Sequence, residues 1–443
     1  GLSQWGAYGY ALHGASSREI ILHYYKGTHI GSAGDRTIRV LLQSGRPTIW
    51  VTAATRAGDH KLSPDKRYRA VRHGIDQVQL ETAGGKKIAV FDSPLAVSSS
   101  AGAVVLRGTA QNGLANGSYR GVLELRPGLF GGMTAVDALP LDDYIQGVVP
   151  GEVPYTWPAA ALEAQAMAAR SYSLVTDAGG AIFDQYADTR SQMYYGMSRE
   201  TTSTNAAVAK TARQVVEYGN EIAVTYYFSS SGGRTENIEN VFLGSNPVPY
   251  LKSVDDPYDI ASPRHRWRFT WSRGALDRKL GGWVRGKLRS VKVTQRGVSP
   301  RIVSANVIGS RGSTSVTGPA LRSRLGLFDT WAYFIAIKSG QGQPTTPPPS
   351  GGSNGGLSDG GQTAKAAGIV RLLRYDGPRP PILAGTVSPR PKRVTVQQLR
   401  GGAWKSFGRG HTDSRGRYAM LMPGPGLYRV LANGAAGPTT RIR

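Results

Sequence analysis

Short runs of alternating hydrophobic and polar residues dominate the chain before residue 339. Alternation with a period of two places successive side chains on opposite faces of a strand, so these runs predict β-strands. Residues typical of turns, mainly glycine and proline, separate the runs. The predicted strands cover residues 38–43, 48–55, 87–91, 103–108, 120–126, 213–218, 223–229 and 289–296.

One segment departs from this alternation and predicts the principal helix. Residues 157–176 contain an Ala-rich run, and alanine has the highest helix propensity. Pro158 stands at its start, where the first turn of a helix tolerates proline. Shorter helices are predicted at 16–25 and 318–326. The predicted fold is therefore α+β, with a β-rich body and one principal helix.

A Gly-, Pro- and Ser-rich stretch at 339–362 marks the clearest boundary. It contains one charged residue, Asp359, and no aromatic residue, which predicts a flexible linker. Residues 363–443 then alternate in short runs separated by turn signals, which predicts a separate β-sandwich. This segment carries 15 Lys+Arg and 2 Asp+Glu. A module of this kind more often binds or spaces than catalyses.

The composition excludes several kinds of site. Cysteine is absent, so disulfides, thiolate metal sites and cysteine nucleophiles are excluded. No run of about 18 or more apolar residues occurs, so no transmembrane segment is predicted. The sequence has no N-terminal signal peptide and starts at Gly1 without Met. We therefore expect a mature or trimmed fragment.

The net charge of +25 indicates an anionic partner, which on charge alone is a nucleic acid, a membrane surface or an anionic polymer. The basic residues are interpreted as dispersed. No zinc-finger spacing, basic helix or aromatic RNA-binding signature is present, so no nucleic-acid partner is predicted. A basic surface without any specific partner is the alternative.

The residues with the clearest chemical potential lie in the stretch 139–172. Glu152 follows Gly151 and stands between Pro150 and Pro154, which restrict the backbone around one carboxylate. A fixed carboxylate suits a general acid or base. We expect a strand and a tight turn to deliver Glu152 directly into the helix that follows. The alternative is a glutamate that only complements the helix dipole.

Polar residues inside the Ala-rich helix form a second candidate cluster. Glu163, Met167 and Arg170 recur at helical spacing. Gln165 and Tyr172 lie on a neighbouring stripe. These side chains predict a polar patch that faces a site, and a solvated helix face is the alternative.

A serine-rich loop follows the predicted strand at 223–229. Ser229, Ser230 and Ser231 precede two glycines there. The loop lacks the G-x-S-x-G pattern of a nucleophile elbow, so a serine hydrolase is disfavoured. A loop that contacts carbohydrate is the favoured interpretation.

Residues 188–196 combine amide and aromatic groups, among them Gln192 and Tyr194. Such groups suit contact with a sugar, and an ordinary turn is the alternative. The 7 histidines of the chain show no HExxH or comparable spacing. Their pattern predicts no metal-ligand set.

Taken together, these stretches resemble the SpoIID/LytB family of sporulation stage II protein D and amidase-enhancer proteins. The matching pieces are LPLDDYIQGVVPGEVP (139–154), LEAQAMAARSY (162–172), DTRSQMYYG (188–196), FSSSGGRTENIENVF (228–242), PVPYLKSVDDP (247–257) and LRSRLGL (321–327). Their joint order over residues 136–335 makes the resemblance specific. Residues 1–30 resemble a further family segment in an actinobacterial-type arrangement, and 31–135 resemble the variable β-rich region. A SpoIID-like body is therefore predicted over 1–338.

The resemblance implies a lytic transglycosylase of peptidoglycan. Such enzymes cleave glycan strands between N-acetylmuramic acid and N-acetylglucosamine and leave 1,6-anhydro ends. The family's catalytic glutamate falls on Glu152. Glu152 is expected to protonate the leaving oxygen and then to accept the proton of the muramic C6 hydroxyl as that oxygen attacks C1. The expected substrate-binding residues are Gln165, Arg170, Gln192, Tyr194, Ser229, Ser230 and Ser231.

The sequence departs from the family at two points. Some relatives hold zinc through His and Cys around the 188–196 segment, where this chain has Arg190 and Ser191, so we predict no metal and no cofactor. The helix position that is often Lys is Glu163. The departure at Glu163 puts a substrate contact at that position in doubt.

The resemblance also implies partners and a location. Peptidoglycan glycan strands and a peptidoglycan amidase are the expected partners of a secreted, wall-associated protein, and the positive charge adds anionic wall polymers to them. A non-catalytic amidase enhancer is one alternative function. A wall-anchored structural protein that works through the basic C-terminal module is another. The module at 363–443 is expected to bind the wall or to act as a spacer.

Overall fold

The computed structural model describes most of the body of the chain and the strands near its C-terminus. The described residues are 1–128, 131–335, 382–386, 393–400, 402–411, 417–421, 426–432, 435–436 and 439–442. They form a mixed, β-rich structure, so the predicted α+β fold is confirmed. The linker predicted at 339–362 lies outside the described residues.

Helix α4 covers the Ala-rich segment, and the other helices form in segments with less alanine. They are α1 Gln4–Leu12, α2 Ser17–Tyr24, α3 Leu141–Glu152, α4 Ala159–Val175, α5 Thr202–Lys210, α6 Ile238–Val241, α7 Arg273–Leu280 and α8 Gly318–Leu325, with 3-10 helices at Gly196–Arg199, Pro257–Ala261 and Gly281–Trp283. The predictions at 16–25, 157–176 and 318–326 are confirmed by α2, α4 and α8. Within the described residues, no helix is both long and apolar enough to span a membrane.

Strands account for most of the remaining regular structure. Before residue 230 they are β1 Leu2–Ser3, β2 His29–Ser32, β3 Thr37–Arg46, β4 Thr48–Thr52, β5 Arg56–Ala57, β6 His60–Lys61, β7 Tyr68–His73, β8 Gln77–Thr82, β9 Lys87–Asp92, β10 Leu95–Ser98, β11 Val104–Arg107, β12 Ser118–Tyr119, β13 Val122–Pro127, β14 Met133–Pro140, β15 Gln185–Tyr186, β16 Gln214–Tyr218, β17 Glu221–Ile222 and β18 Tyr227–Phe228. The strand predicted at 223–229 is confirmed only at β18.

Later strands are β19 Leu288–Arg296, β20 Ile302–Gly309, β21 Gly312–Thr317, β22 Ile382–Thr386, β23 Arg393–Arg400, β24 Ala403–His411, β25 Arg417–Leu421, β26 Gly426–Ala432, β27 Ala435–Ala436 and β28 Thr440–Ile442. The C-terminal strands pair antiparallel in two sheets, β22-β25 and β24-β23-β26-β27, with β28 on β26. Val394, Val396 and Tyr428 are buried there. This confirms the β-rich character predicted for the C-terminal module.

The body divides into two compact units that are not contiguous in sequence. The first unit contains residues 1–9, 23–27 and 227–335, and the second contains 10–22 and 28–226 together with the described residues of 372–443. In the first unit, β19, β20 and β21 form an antiparallel sheet whose core includes Ile302, Val307 and Leu321.

Between residues 28 and 226 the second unit contains three sheets. Their strand orders are β15-β3-β14-β13-β10-β5-β6, β12-β11-β4-β7-β8-β9 and β17-β16-β2. Strand β14 pairs antiparallel with β13 and β3 and is buried along its length up to Pro140. A strand that is buried on both faces reads as a nearly continuous apolar run, as this one does. Helix α3 leaves directly from the end of β14.

The approach to Glu152 differs from the prediction. Instead of a tight turn, the 12-residue helix α3 connects β14 to the segment before α4, and Glu152 is its last residue. Asp142 in the first turn complements the helix dipole. Pro150 lies inside the last turn of the helix. The predicted turn is wrong because tertiary packing of an apolar face, rather than local propensity, stabilises α3.

Candidate functional site

The carboxylate of Glu152 is held in place by backbone. Glu152 is half-buried at the C-terminal end of α3, and its Oε1 accepts a hydrogen bond of 2.7 Å from the N–H of Met193. The partial negative charge of a helix C-terminus disfavours an ionised carboxylate, whereas a donated N–H stabilises it. The end of α3 and the N–H of Met193 therefore have opposite effects on the stability of the ionised Glu152 carboxylate.

Two glycines allow the segment around Met193 to approach α3. A Cβ at Gly151 would lie 2.6 Å from the Met193 carbonyl oxygen, and a Cβ at Gly147 would lie 2.4 Å from the Tyr194 ring. Both distances are shorter than real Cβ contacts. The N–H of Tyr195 donates to the carbonyl of Gly147 over 3.2 Å. The i, i+4 glycine spacing within 139–154 is the sequence signal for this packing, and sequence reasoning missed it.

Two tyrosines lie within electrostatic reach of Glu152. Burial is the main cause that raises the pKa of Tyr172 to about 12, and the charge of Glu152 contributes. The pKa of Tyr144 is raised well above its usual value for the same two reasons. Both phenols therefore keep their protons at neutral pH. Tyr172 packs edge-on against Tyr226 with ring centroids 5.9 Å apart. The sequence placed Tyr172 on a polar stripe of the helix but not among the expected substrate-binding residues.

Arg170 and Gln165, both predicted substrate contacts, are buried on α4. The Nε of Arg170 donates to Asp142 Oδ1 over 2.7 Å. Its terminal nitrogens donate to the carbonyls of Gln214 and Val208 over 3.1 and 3.4 Å. Arg170 thus ties α4 to α3, α5 and β16, and its contact with substrate stays a prediction.

Gln192 and Tyr194 are buried as well. The hydroxyl of Tyr144 donates to Gln192 Oε1 over 2.9 Å, and Gln192 Nε2 donates to the carbonyl of Ala169 over 3.2 Å. The hydroxyl of Tyr194 donates to Asp137 Oδ2 over 2.6 Å. These bonds fix the 188–196 segment, including Met193, against α3, α4 and β14.

A buried carboxyl group lies beneath this segment. Asp137 on β14 has no exposed surface, and burial raises its pKa to about 8. The rings of Tyr119 and Tyr144 lie 6.1 and 5.2 Å from that of Tyr194. Asp137 is therefore protonated at neutral pH within a cluster of tyrosines.

Glu163, at the position that is often Lys in the family, is buried and paired. Its Oε1 lies 2.8 Å from Lys210 Nζ, and its Oε2 accepts a hydrogen bond of 2.8 Å from Ser17 Oγ. These contacts join α4 to α5 and α2. The side chain therefore has a structural role in the second unit.

The two positions that could have been zinc ligands make other contacts. Arg190 forms an ion pair of 2.7 Å with Asp188 and lies 3.8 Å from the centroid of the Tyr186 ring. Ser191 Oγ accepts the N–H of Tyr186 over 3.0 Å. Among the residues that the structure describes, no group of three or more His, Cys, Asp or Glu could hold a metal ion. The absence of a metal cofactor stays a prediction.

The predicted serine loop belongs to the first unit and surrounds a buried aspartate. Ser230 Oγ donates to Asp259 Oδ2 over 2.9 Å, and the N–H of Ser231 donates to Oδ1 over 2.8 Å. The Nδ1 of His265 lies 3.0 Å from Oδ2. Ser229 contributes its carbonyl to a backbone hydrogen bond. The conformation of the loop is therefore set by Asp259, and its contact with sugar stays a prediction.

Comparison with known protein families points to the same part of the second unit. Residues 130–218 match the family model described as SpoIID, the stage II sporulation protein. This range contains Glu152, helix α4 and the 188–196 segment. Residues 130–218 are therefore similar to the SpoIID family, and the resemblance seen in the sequence is confirmed over this range.

Individual relatives carry the two names of that family. The chain is 32% identical to stage II sporulation protein D of Bacillus subtilis (strain 168) over 213 residues, which are 44% of this chain and 60% of that protein. It is 29% identical to stage II sporulation protein D of Bacillus amyloliquefaciens over 210 residues, 44% of this chain and 59% of the relative. It is also 37% identical to the amidase enhancer of Bacillus subtilis (strain 168) over 135 residues, 30% of this chain and 18% of that protein. The chain thus spans about 60% of the length of the stage II sporulation proteins it matches.

Proposed function

We propose that this protein acts on cell-wall peptidoglycan as a lytic transglycosylase. The reaction cleaves the bond between N-acetylmuramic acid and N-acetylglucosamine and leaves 1,6-anhydro-N-acetylmuramic acid ends. The observation that carries the proposal is Glu152, a carboxylate fixed at the end of α3 by the N–H of Met193. It lies within the region that matches the SpoIID family model. The similarity to stage II sporulation protein D and to an amidase enhancer supports a function related to the cell wall.

One carboxylate is sufficient for this reaction because the nucleophile belongs to the substrate. Glu152 protonates the leaving glycosidic oxygen as its bond to C1 of the muramic residue breaks. The resulting carboxylate then accepts the proton of the C6 hydroxyl while the bond between O6 and C1 forms. The proton is therefore returned to Glu152, no water is consumed, and the enzyme is ready for the next bond.

The neighbours of Glu152 have distinct roles in this scheme. The N–H of Met193 holds the orientation of the carboxylate. Tyr172, which keeps its proton at neutral pH, places a neutral polar group within electrostatic reach of the carboxylate. Arg170 and Gln192 act as positioning residues. Arg170 donates a hydrogen bond to Asp142, and Gln192 donates one to the carbonyl of Ala169, and these bonds hold α4 and the 188–196 segment in place.

A second candidate is a non-catalytic amidase enhancer. The 37% identity over 135 residues to a protein of that name favours it. In this role the protein stimulates a separate peptidoglycan amidase, and Glu152 need not change its protonation state. The two candidate functions give different predictions for purified glycan strands without any amidase: a lytic transglycosylase cleaves the strands, and an enhancer leaves them intact.

The proposal is tested by Glu152→Gln, which keeps the shape of the side chain and removes its titrating group. We expect turnover of purified glycan strands to fall by at least about 10²-fold. Glu221→Gln is the matched control, because Glu221 is an exposed glutamate of the same unit, and it should leave turnover unchanged. Wild-type turnover in a folded Glu152→Gln variant would refute the lytic mechanism. Acceleration of an amidase by a wild-type protein that cuts no strands would establish the enhancer.

A further inference from the structure

Positive charge is concentrated in one part of the first unit. Residues 260–335 contain 15 Lys+Arg and 2 Asp+Glu, whereas residues 1–259 contain 23 Lys+Arg and 24 Asp+Glu. The interpretation of the basic residues as dispersed is therefore wrong. Apart from the C-terminal module at 363–443, residues 260–335 account for the excess of positive charge.

Aromatic side chains are gathered in the same stretch. Trp267, Phe269 and Trp271 occupy every second position of a segment that is neither helix nor strand. Their rings follow one another with centroids 5.6 Å apart in both pairs, so the three rings form one row. The rings of Phe269 and Trp271 are parallel, with an interplanar angle of 2° and centroids 5.6 Å apart. Phe328 joins them, its ring 5.3 Å from that of Phe269. We call these four side chains the aromatic ribbon.

The aromatic ribbon is anchored on one side and exposed on the other. Trp267 and Trp271 pack against the core of the first unit. Phe269 and Phe328 keep 37% and 41% of their surface exposed. Clustered apolar side chains that remain exposed on a folded unit are typical of a binding surface.

Arginines lie beside the ribbon. The guanidinium of Arg264 lies 4.5 Å from the centroid of Phe328, and Arg266 directly precedes Trp267 in the chain. Arg268 is exposed between two members of the ribbon. Arginine pairs well with carboxylates because its planar group offers several donors in a fixed fork. The surface therefore combines apolar ring faces with donors for anions.

We propose that the aromatic ribbon and its arginines bind the glycan strand of peptidoglycan. The C–H faces of the sugar rings would stack on the exposed phenylalanines, and the carboxylates of the muramic side chains or stem peptides would pair with the arginines. This inference rests on the proposed function for the identity of the polymer. It adds a strand-holding surface that lies entirely within the first unit and is chemically independent of Glu152.

The test measures binding by the full chain in a Glu152→Gln background, so that strands are not cut. Purified glycan strands are immobilised in a gel, and retardation of the protein is measured at 0.1 M and 1 M salt. The Debye length falls from about 10 Å to about 3 Å over that range, which suppresses binding by exposed charges, including those of the C-terminal module. Ring stacking does not depend on charge, so the binding that remains at 1 M salt reports on the ribbon.

Phe269→Ala combined with Phe328→Ala should weaken this salt-resistant binding by about tenfold. Phe242→Ala is the matched control, because Phe242 is another phenylalanine of the first unit and is 50% exposed. It should bind like the parent. Phe269→Trp keeps an aromatic ring at the position and should retain binding, which separates loss of stacking from loss of folding.

Three results would overturn the inference. They are equal salt-resistant binding by the double variant and the parent, loss of all parental binding at 1 M salt, and tighter binding of a single-stranded oligonucleotide than of glycan. The last result would assign the surface to nucleic acid, which also stacks on aromatic side chains in basic grooves. Cleavage is measured separately with Glu152 restored. Normal cleavage with unaltered binding by the double variant would refute the ribbon alone, and ribbon-dependent binding without cleavage would refute only the lytic function.

Discussion

At the scale of single residues, the carboxylate of Glu152 is oriented by the backbone N–H of Met193. Pro150, Gly151 and Pro154 predict a constrained carboxylate, and the N–H of Met193 adds a constraint that they do not indicate. Because Glu152 and Met193 are 41 positions apart in the chain, no local sequence pattern indicates this contact. The contacts of Arg170 are not predictable from local sequence either. Helical spacing groups Arg170 with other polar residues, but it does not indicate the hydrogen bonds to α3, α5 and β16.

Tyr172 gives a test at this scale. Tyr172→Phe keeps the ring that packs on Tyr226 and removes the hydroxyl whose pKa is raised by burial and by the charge of Glu152. We expect turnover to fall about tenfold, which corresponds to a loss of about 1.4 kcal/mol of electrostatic interaction, while the melting temperature changes little. Tyr218→Phe, at a 40% exposed tyrosine of the same unit, is the control and should retain full turnover. Full turnover in Tyr172→Phe would place Tyr172 outside the site.

At the scale of elements, α4 is predictable and α3 is not. An Ala-rich run forms a helix from its own propensity, so α4 follows from composition. Gly147, Pro150 and Gly151 argue against a helix at 141–152 when read locally. The 188–196 segment packs against α3 at Gly147 and Gly151, where a Cβ would overlap with Tyr194 and Met193. The two glycines that make α3 hard to predict therefore allow the segment that contains Met193 to reach Glu152.

Gly151→Ala tests this packing. The new Cβ would lie 2.6 Å from the carbonyl oxygen of Met193, so the 188–196 segment must move away from α3 and weaken the bond to Glu152. We expect a loss of stability of about 1–3 kcal/mol and at least a tenfold loss of turnover. Gly34→Ala is the control, because a Cβ there meets nothing within 4 Å. Unchanged turnover and melting temperature in Gly151→Ala would contradict the role of this contact.

At the scale of the whole molecule, the sequence indicates β-rich content but not how the chain is divided. Strand β1 pairs in parallel with β18, so that Leu2 lies opposite Tyr227. Residues 1–9 consequently belong to a unit with 227–335, while the chain between them contributes mainly to the other unit. Pairing of strands so far apart in sequence has no local signal. The strand runs could therefore be predicted, whereas their partners could not.

The stability of the folded molecule should depend on pH through Asp137. Its pKa is raised by burial from 3.8 to about 8, so the folded state keeps a proton that the unfolded state loses at lower pH. The favourable contribution of this group is full below about pH 4 and is lost as the pH rises through 8. We expect the melting temperature of wild type to fall more between pH 4 and pH 8 than that of Asp137→Asn. Equal slopes for the two proteins would show that Asp137 does not carry this effect.

The central claim is that Glu152 drives an intramolecular attack by the C6 hydroxyl, and the chemistry of the product tests it most directly. Purified glycan strands are digested with wild type and with Glu152→Gln, and the new ends are identified by mass spectrometry. We predict ends in 1,6-anhydro-N-acetylmuramic acid, one water lighter than the ends that hydrolysis gives, and at least about 10²-fold less of them with Glu152→Gln. Reducing ends from wild type, or an equal yield of anhydro ends from both proteins, would contradict the claim.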